Sequence, residues 1–288
     1  MFQKIYTYMK FIRIQNGFLS IFTILVFSFI AFGEIRYVQD LIFLAVITFF
    51  SLSAGNIIND IFDYEIDKIN QPSRILPSGK LSLKEAKLVY GLLIGLAILL
   101  SLRFSESVIL LVIINNVLLF IYSWDFKKRA LIGNLTVSYL TASVLILCGL
   151  HFSTFNEIVL PVLFAFFCNL AREMIKDIED IEGDKQLGLS TFAVRFPLGV
   201  NKTLIYSIIT LFIMSCYIPF LVNNVSKSYI YLSHIGIIFP LIYLTIKLKQ
   251  AKEKKQFTQL SKQLKLIMLL GLFTLIWVRN DITIPFTT

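Results

Sequence analysis

The stretch "NDIFDYEIDK", residues 59–68, closes an apolar run, "LIFLAVITFFSLSAGNII", residues 41–58. Four acids in eight residues at the end of a membrane-length segment need a reason. A second stretch, "KDIEDIEGDK", residues 176–185, follows another apolar run and repeats the pattern. Aligned without gaps, the two agree at six positions: Asp60 with Asp177, Ile61 with Ile178, Asp63 with Asp180, Glu65 with Glu182, Asp67 with Asp184, Lys68 with Lys185. Read as the continuing end of a helix, at about 100° per residue, Asp63 lies roughly 60° and Asp67 roughly 20° from Asp60. Asn56 falls in the same arc and Asn59 at its edge, whereas Glu65 points away. Asp177, Asp180 and Asp184 share a face in the second stretch, with Glu182 off it, and Glu173 and Lys176 stand where Asn56 and Asn59 stand in the first.

Three like charges on one helical face repel. Oxygen-rich clusters of this kind suit a hard divalent cation. Mg²⁺ is usually held by one or two carboxylates, with waters and substrate phosphates completing its shell. Two facing clusters around such ions would receive a diphosphate. The expected metal ligands are Asn59, Asp60, Asp63 and Asp67 with Asp177, Asp180 and Asp184. Cations for the diphosphate are available in Arg74, Lys127, Arg172 and Lys176. The loop around Pro72, Pro77 and Gly79 ends the first helix and reads as a lid. The plain alternative is a pair of solvated acidic helix ends.

The surrounding chain is 57% hydrophobic and only 16% charged over 288 residues, against a soluble norm of about 25% charged. Nine segments are long and apolar enough to be read as spans, near 17–33, 41–59, 86–102, 107–124, 131–151, 157–176, 203–222, 229–246 and 263–279. Residues 2–16 alternate apolar and basic and suit a helix on the membrane surface. Of the 27 Lys and Arg, all but Arg36, Arg103, Lys227 and Arg279 fall in one alternate set of loops. Basic loops stay in the cytoplasm, so the N-terminus and both acidic stretches are expected there and the C-terminus outside. The net charge of +9 follows from this topology, and nucleic-acid binding is not expected. Cys148, Cys168 and Cys216 stand singly in apolar segments, and His151 and His234 are unpaired, so neither a disulfide nor a zinc site is indicated.

"NDIFDYEID" fits the NDxxDxxxD motif of the UbiA superfamily of membrane prenyltransferases, and "DIEDIEGD" resembles that family's second Asp motif. "AREMIKDIEDIEGDKQLGLST", "YSWDFKKRALIGN" and "RIQN" resemble further family segments, so the likeness runs from about residue 13 to 195. It implies an all-α integral membrane fold, nine transmembrane helices around a central cavity, in a single domain over 1–288. It also implies an Mg²⁺-dependent transferase of the cell membrane acting on a polyprenyl diphosphate and a lipid or aromatic acceptor. Asp63, Asp67, Asp180, Asp184 and Lys127 would be catalytic. Arg13, Asn16, Asn56, Arg74, Tyr122, Lys127, Arg172, Lys176 and Lys185 would contact substrates. "AGNIINDIFDYEIDKIN" is most similar to the enzymes that prenylate geranylgeranylglyceryl phosphate. Such an acceptor brings its own phosphate, and Arg13, outside both Asp motifs, would meet it. Gln71 and Ile75 depart from the residues common in the family's loop. Three rivals stand beside this reading: prenylation of a quinone precursor, a CDP-alcohol phosphotransferase (whose DGxxAR pattern is missing), and a cation carrier.

Overall fold

A computed structural model describes residues 2–222 and 226–278, and Arg279 lies outside them. The chain is helical in the order α1 (Phe2–Phe11), α2 (Gln15–Phe32), α3 (Val38–Phe62), α4 (Tyr64–Asn70), α5 (Leu83–Ser101), α6 (Glu106–Trp124), α7 (Ile132–Phe152) and α8 (Phe155–Glu179). There follow α9 (Ile181–Gln186), α10 (Phe192–Arg195), α11 (Leu198–Ser215), α12 (Ile218–Val222), α13 (Lys227–Ser233), α14 (Phe239–Gln250) and α15 (Lys254–Ile276). A π turn at His234–Ile238 joins α13 to α14.

Among the described residues, seven helical stretches are long and apolar enough to cross a membrane: Val38–Phe62, Glu106–Trp124, Ile132–Phe152, Phe155–Glu179, Leu198–Phe220, Lys227–Gln250 and Lys254–Ile276. The two other expected segments are helical but fall short by that measure. The first counts only as the shorter apolar stretch Ser20–Phe32. The second, α5, carries Lys84, Glu85 and Lys87 at its start. Its flanks still tell of an apolar surround. Ala86, Leu93 and Ala97 are buried, while Leu88, Leu92 and Leu99 form an exposed stripe one to three turns apart.

Two compact units divide the described chain. In the first, comprising residues 1–25, 37–126 and 147–153, α3 packs on α5 and α6. Its core joins Phe11, Ala54, Ile57, Leu76, Leu81, Ala86 and Leu93. Leu76 and Leu81 are 3% and 2% exposed, so the loop read as a lid is anchored into this core at two points. Phe11, at 2%, pins the end of α1 in the same way. Residues 2–11 are helical, as expected, and α1 leaves Ile5, Tyr6 and Met9 exposed beside its buried edge.

In the second unit, residues 26–36, 127–146 and 154–288, α8 packs on α11 and α15. Helices α8 and α15 approach closely at Gly271, where a Cβ would lie 2.1 Å from the ring of Phe164. All three cysteines are buried free thiols.

Candidate active site

Each acidic motif sits where a long helix breaks, and each breaks at its middle aspartate. Helix α3 stops at Phe62, Asp63 takes φ −86°, ψ 0°, and α4 resumes at Tyr64. Helix α8 stops at Glu179, Asp180 takes φ −100°, ψ 7°, and α9 resumes at Ile181. These are bridge-region torsions. The helix was expected to run on, and this is where it does not. The ladder nevertheless survives, because Asp63 N–H still reaches Asn59 C=O at 2.9 Å and Asp67 N–H reaches Asp63 C=O at 2.7 Å. Asp180 and Asp184 repeat this at 2.9 and 3.0 Å. The bend is local, so the helical spacing of the acids is largely kept.

In the first unit the acids are knit to two arginines. Arg74 Nη1 donates to Asp67 Oδ2 at 2.6 Å and lies 3.9 Å from Asp60 Oδ1. Arg13 Nη2 donates to Asp60 Oδ1 at 3.0 Å and its Nη1 to Asn56 Oδ1 at 2.7 Å. Arg13, which lies outside both motifs in the sequence, is therefore bonded into the first. It sits in the turn between α1 and α2 with φ +52°, a conformation costing a non-glycine residue about 1–2 kcal/mol. The turn is tied down by Ser53, whose hydroxyl donates to Ile12 C=O at 2.8 Å. Asn59 Nδ2 donates to Asp63 Oδ2 at 2.8 Å. Asp67 is buried at 5% exposure, and Arg74 is its ion-pair partner. Glu65 faces outward and pairs with Lys68, as the helical-face reading required. Tyr122 is half-buried near the end of α6. Asn16 lies in α2, and its side chain is outside the described set.

Beside Asp60 opens a cleft of about 830 Å³, walled by α1 and the 71–82 loop. Lys4, Lys10, Arg13, Arg74 and Lys80 line it, against the acids Asp60 and Glu85. Glu85 is held by the Ser82 backbone, by Lys4 and by the Ser82 hydroxyl. These donors, the Ser82 backbone first, draw its carboxyl down to about 2.

The second unit holds its acids with different partners. Asn134 Nδ2 donates to Asp177 Oδ2 at 3.0 Å. Thr191 Oγ1 donates to Asp184 Oδ2 at 3.1 Å, and Lys254 Nζ lies 3.8 Å from Asp180. Burial pushes the Asp184 carboxyl above its ordinary range; the Thr191 hydroxyl opposes the shift, the Asp180 charge adds to it and Lys176 opposes it. Glu173 is clasped by Arg172 and Lys176. Lys127 lies half-buried in a 3₁₀ turn, Phe126–Lys128. That turn is fastened to the loop after the second motif, since Ser190 N–H reaches Lys128 C=O at 2.9 Å. Lys185 and Glu182 are exposed on α9.

Asn134 and Thr191 were not singled out in the sequence, nor were Lys10 and Lys80. Asn134 and Thr191 end segments already recognised as family-like, which was their only signal. After α9, Gly188 (φ +66°) closes a Schellman turn, with Leu189 N–H on Asp184 C=O and Gly188 N–H on Lys185 C=O. The 71–82 loop closes alike at Gly79 (φ +72°), with Lys80 N–H on Ile75 C=O. Among the described residues, no three of His, Cys, Asp and Glu are gathered tightly enough to hold an ion by themselves.

The sequence pattern of the UbiA prenyltransferase family matches residues 20–273. The chain belongs to that family. It is accordingly a prenyltransferase. A digeranylgeranylglyceryl phosphate synthase from Methanosphaera stadtmanae is 35% identical over 268 residues, 92% of this chain and 96% of the relative. A solved structure described as a digeranylgeranylglyceryl phosphate synthase in membranes has a TM-score of 0.85 at 31% identity, over 96% of this chain and 98% of that one. The fold is shared more distantly with a UbiA homologue from Archaeoglobus fulgidus bound to DMAPP and Mg²⁺, at TM-score 0.68 and 19% identity, over 95% of this chain and 100% of that one.

Proposed function

We propose that this UbiA-family chain transfers a geranylgeranyl group from its diphosphate to geranylgeranylglyceryl phosphate, an ether-lipid step carried out in the membrane. The observation that carries this reading is the likeness to a digeranylgeranylglyceryl phosphate synthase over 96% of the chain. Residues 1–288 act as one catalytic domain in the cell membrane, with both acidic motifs on the cytoplasmic side. The basic-residue asymmetry of the loops supports that orientation.

The acids fit Mg²⁺. Their donors are carboxylate and amide oxygens, and a thinly coordinated ion that arrives with a diphosphate needs only one or two carboxylates from the protein. Asn59, Asp60, Asp63 and Asp67 in the first unit, and Asp177, Asp180 and Asp184 in the second, would hold such ions. Such an ion supplies positive charge to the departing diphosphate. Arg74 and Arg13 keep Asp60 and Asp67 oriented. Lys127, Arg172 and Lys176 offer charge-assisted hydrogen bonds to diphosphate oxygens. The allylic fragment becomes cation-like and is sheltered by apolar helix faces that exclude water.

The test uses the purified full chain in detergent with Mg²⁺, a panel of prenyl diphosphates and acceptors, and product identification by mass. A digeranylgeranylglyceryl phosphate product, abolished by EDTA and restored by Mg²⁺, is expected. Turnover of 4-hydroxybenzoate or a naphthoate with none of the glyceryl phosphate would replace this reading with the quinone-precursor one. Cation flux in proteoliposomes without any prenyl donor would revive the carrier.

A further inference from the structure

The cleft between α1 and the 71–82 loop holds more positive charge than its own acids use. Asp60 is bonded to Arg13, and Glu85 to Lys4 and Ser82. Arg74 is committed to Asp67. Lys10 and Lys80 remain. Both line the cleft, and among the described residues neither ammonium is in an ion pair. Their backbones are fixed although their side chains are exposed. Lys10 precedes buried Phe11, while Lys80 lies between Gly79, in its left-handed turn, and buried Leu81. Gln3, Lys4, Tyr6 and Thr7 of α1 share the cleft wall with Lys10, and Ser73 and Ile75 share it with Lys80.

Two unspent lysines facing one cleft suit a dianion. A phosphate monoester is one, whereas an aromatic acid carries a single carboxylate and a bilayer phosphodiester a single charge. We propose that Lys10 and Lys80 hold the phosphate monoester of the acceptor lipid, while Arg13, already occupied, positions Asp60 and Asn56. This rests on the acceptor being a glyceryl phosphate lipid, as proposed above.

The test compares the wild-type full chain in detergent with the double variant Lys10→Gln/Lys80→Gln and with Lys10→Arg/Lys80→Arg. Losing a charge-assisted hydrogen bond predicts a rise of about tenfold to a hundredfold in the acceptor KM. The prenyl diphosphate KM should stay where it is, and the arginine pair should restore the acceptor KM. Inorganic phosphate should compete with the acceptor in the wild type and lose that effect in the glutamine variant. An unchanged acceptor KM, or an equal rise in both KM values, overturns the proposal and leaves the transferase reading intact. Should the wild type make no product from the glyceryl phosphate acceptor, it is the transferase reading that fails. Phosphorus NMR titration with a short-chain alkylglycerol phosphate then judges the site alone. Binding lost in the glutamine variant supports it, and no binding to the wild type sinks it. Displacement of that probe by phosphatidylglycerol as readily as by a monoester would make the lysines a general bilayer contact and also sink it.

Discussion

Asp63 and Asp180 are the residues at which α3 and α8 break, and each faces its cluster from the middle of the spacing. Replacing either with Ala should lower transfer by about two orders of magnitude or more, the scale of losing one group that stabilises departing charge. Glu65→Ala and Glu182→Ala should cost far less, because Glu65 pairs outward with Lys68 and Glu182 is exposed. Steady-state rates on folded, detergent-purified variants decide it; dead Glu variants beside live Asp variants would refute the assignment. A second expectation concerns Arg74. Its loss leaves the buried Asp67 without its partner at the edge of the cleft, and an unsatisfied buried acceptor costs about 1–3 kcal/mol. Arg74→Ala should therefore lower the thermal midpoint, and adding Asp67→Asn should recover part of the loss. No recovery would mean that Arg74 stabilises by packing alone. The acids themselves were legible because period and repetition sit in neighbouring residues. Their partners were not: Asn134 meets Asp177 and Thr191 meets Asp184 only through tertiary folding. Arg13 likewise reaches Asp60 across nearly fifty residues.

Helices α3 and α8 illustrate what hydropathy can and cannot say. Their apolar runs are plain in the sequence, and so is their end at the acids. The break at Asp63 and at Asp180 is not, since no Pro or Gly occupies either position. Helix α5 was equally hard to classify, because a charged first turn precedes a stretch with one buried and one exposed apolar face. Packing partners were invisible for the reason that Leu, Ile and Phe populate every face. One contact that the structure adds is Gly271 of α15 against Phe164 of α8. Phe164 is 1% exposed and cannot swing away freely. Gly271→Ala should destabilise the second unit by about 1–3 kcal/mol, the usual cost of overpacking. Thermal unfolding in detergent reads this, and a midpoint at or above the wild type would show that the helices can part without cost.

At the scale of the whole chain, the loop asymmetry predicts sides. A reporter inserted in the turn between Gln250 and Lys254, which joins α14 to α15, should read cytoplasmic, and one at the C-terminus should read external. The same side for both would remove α15 as a crossing. The pairing of Asp60 and Asp67 with Arg13 and Arg74 bears on how such a protein is made. Both arginines lie within fifty residues of the acid they hold, one before α3 and the other just after α4. A nascent chain therefore carries the counter-charges for these two acids before any of α5 has been synthesised. Asp60 and Asp67 can thus be paired at the membrane face as soon as the first long helix is in place, while the residues of the second motif are still untranslated.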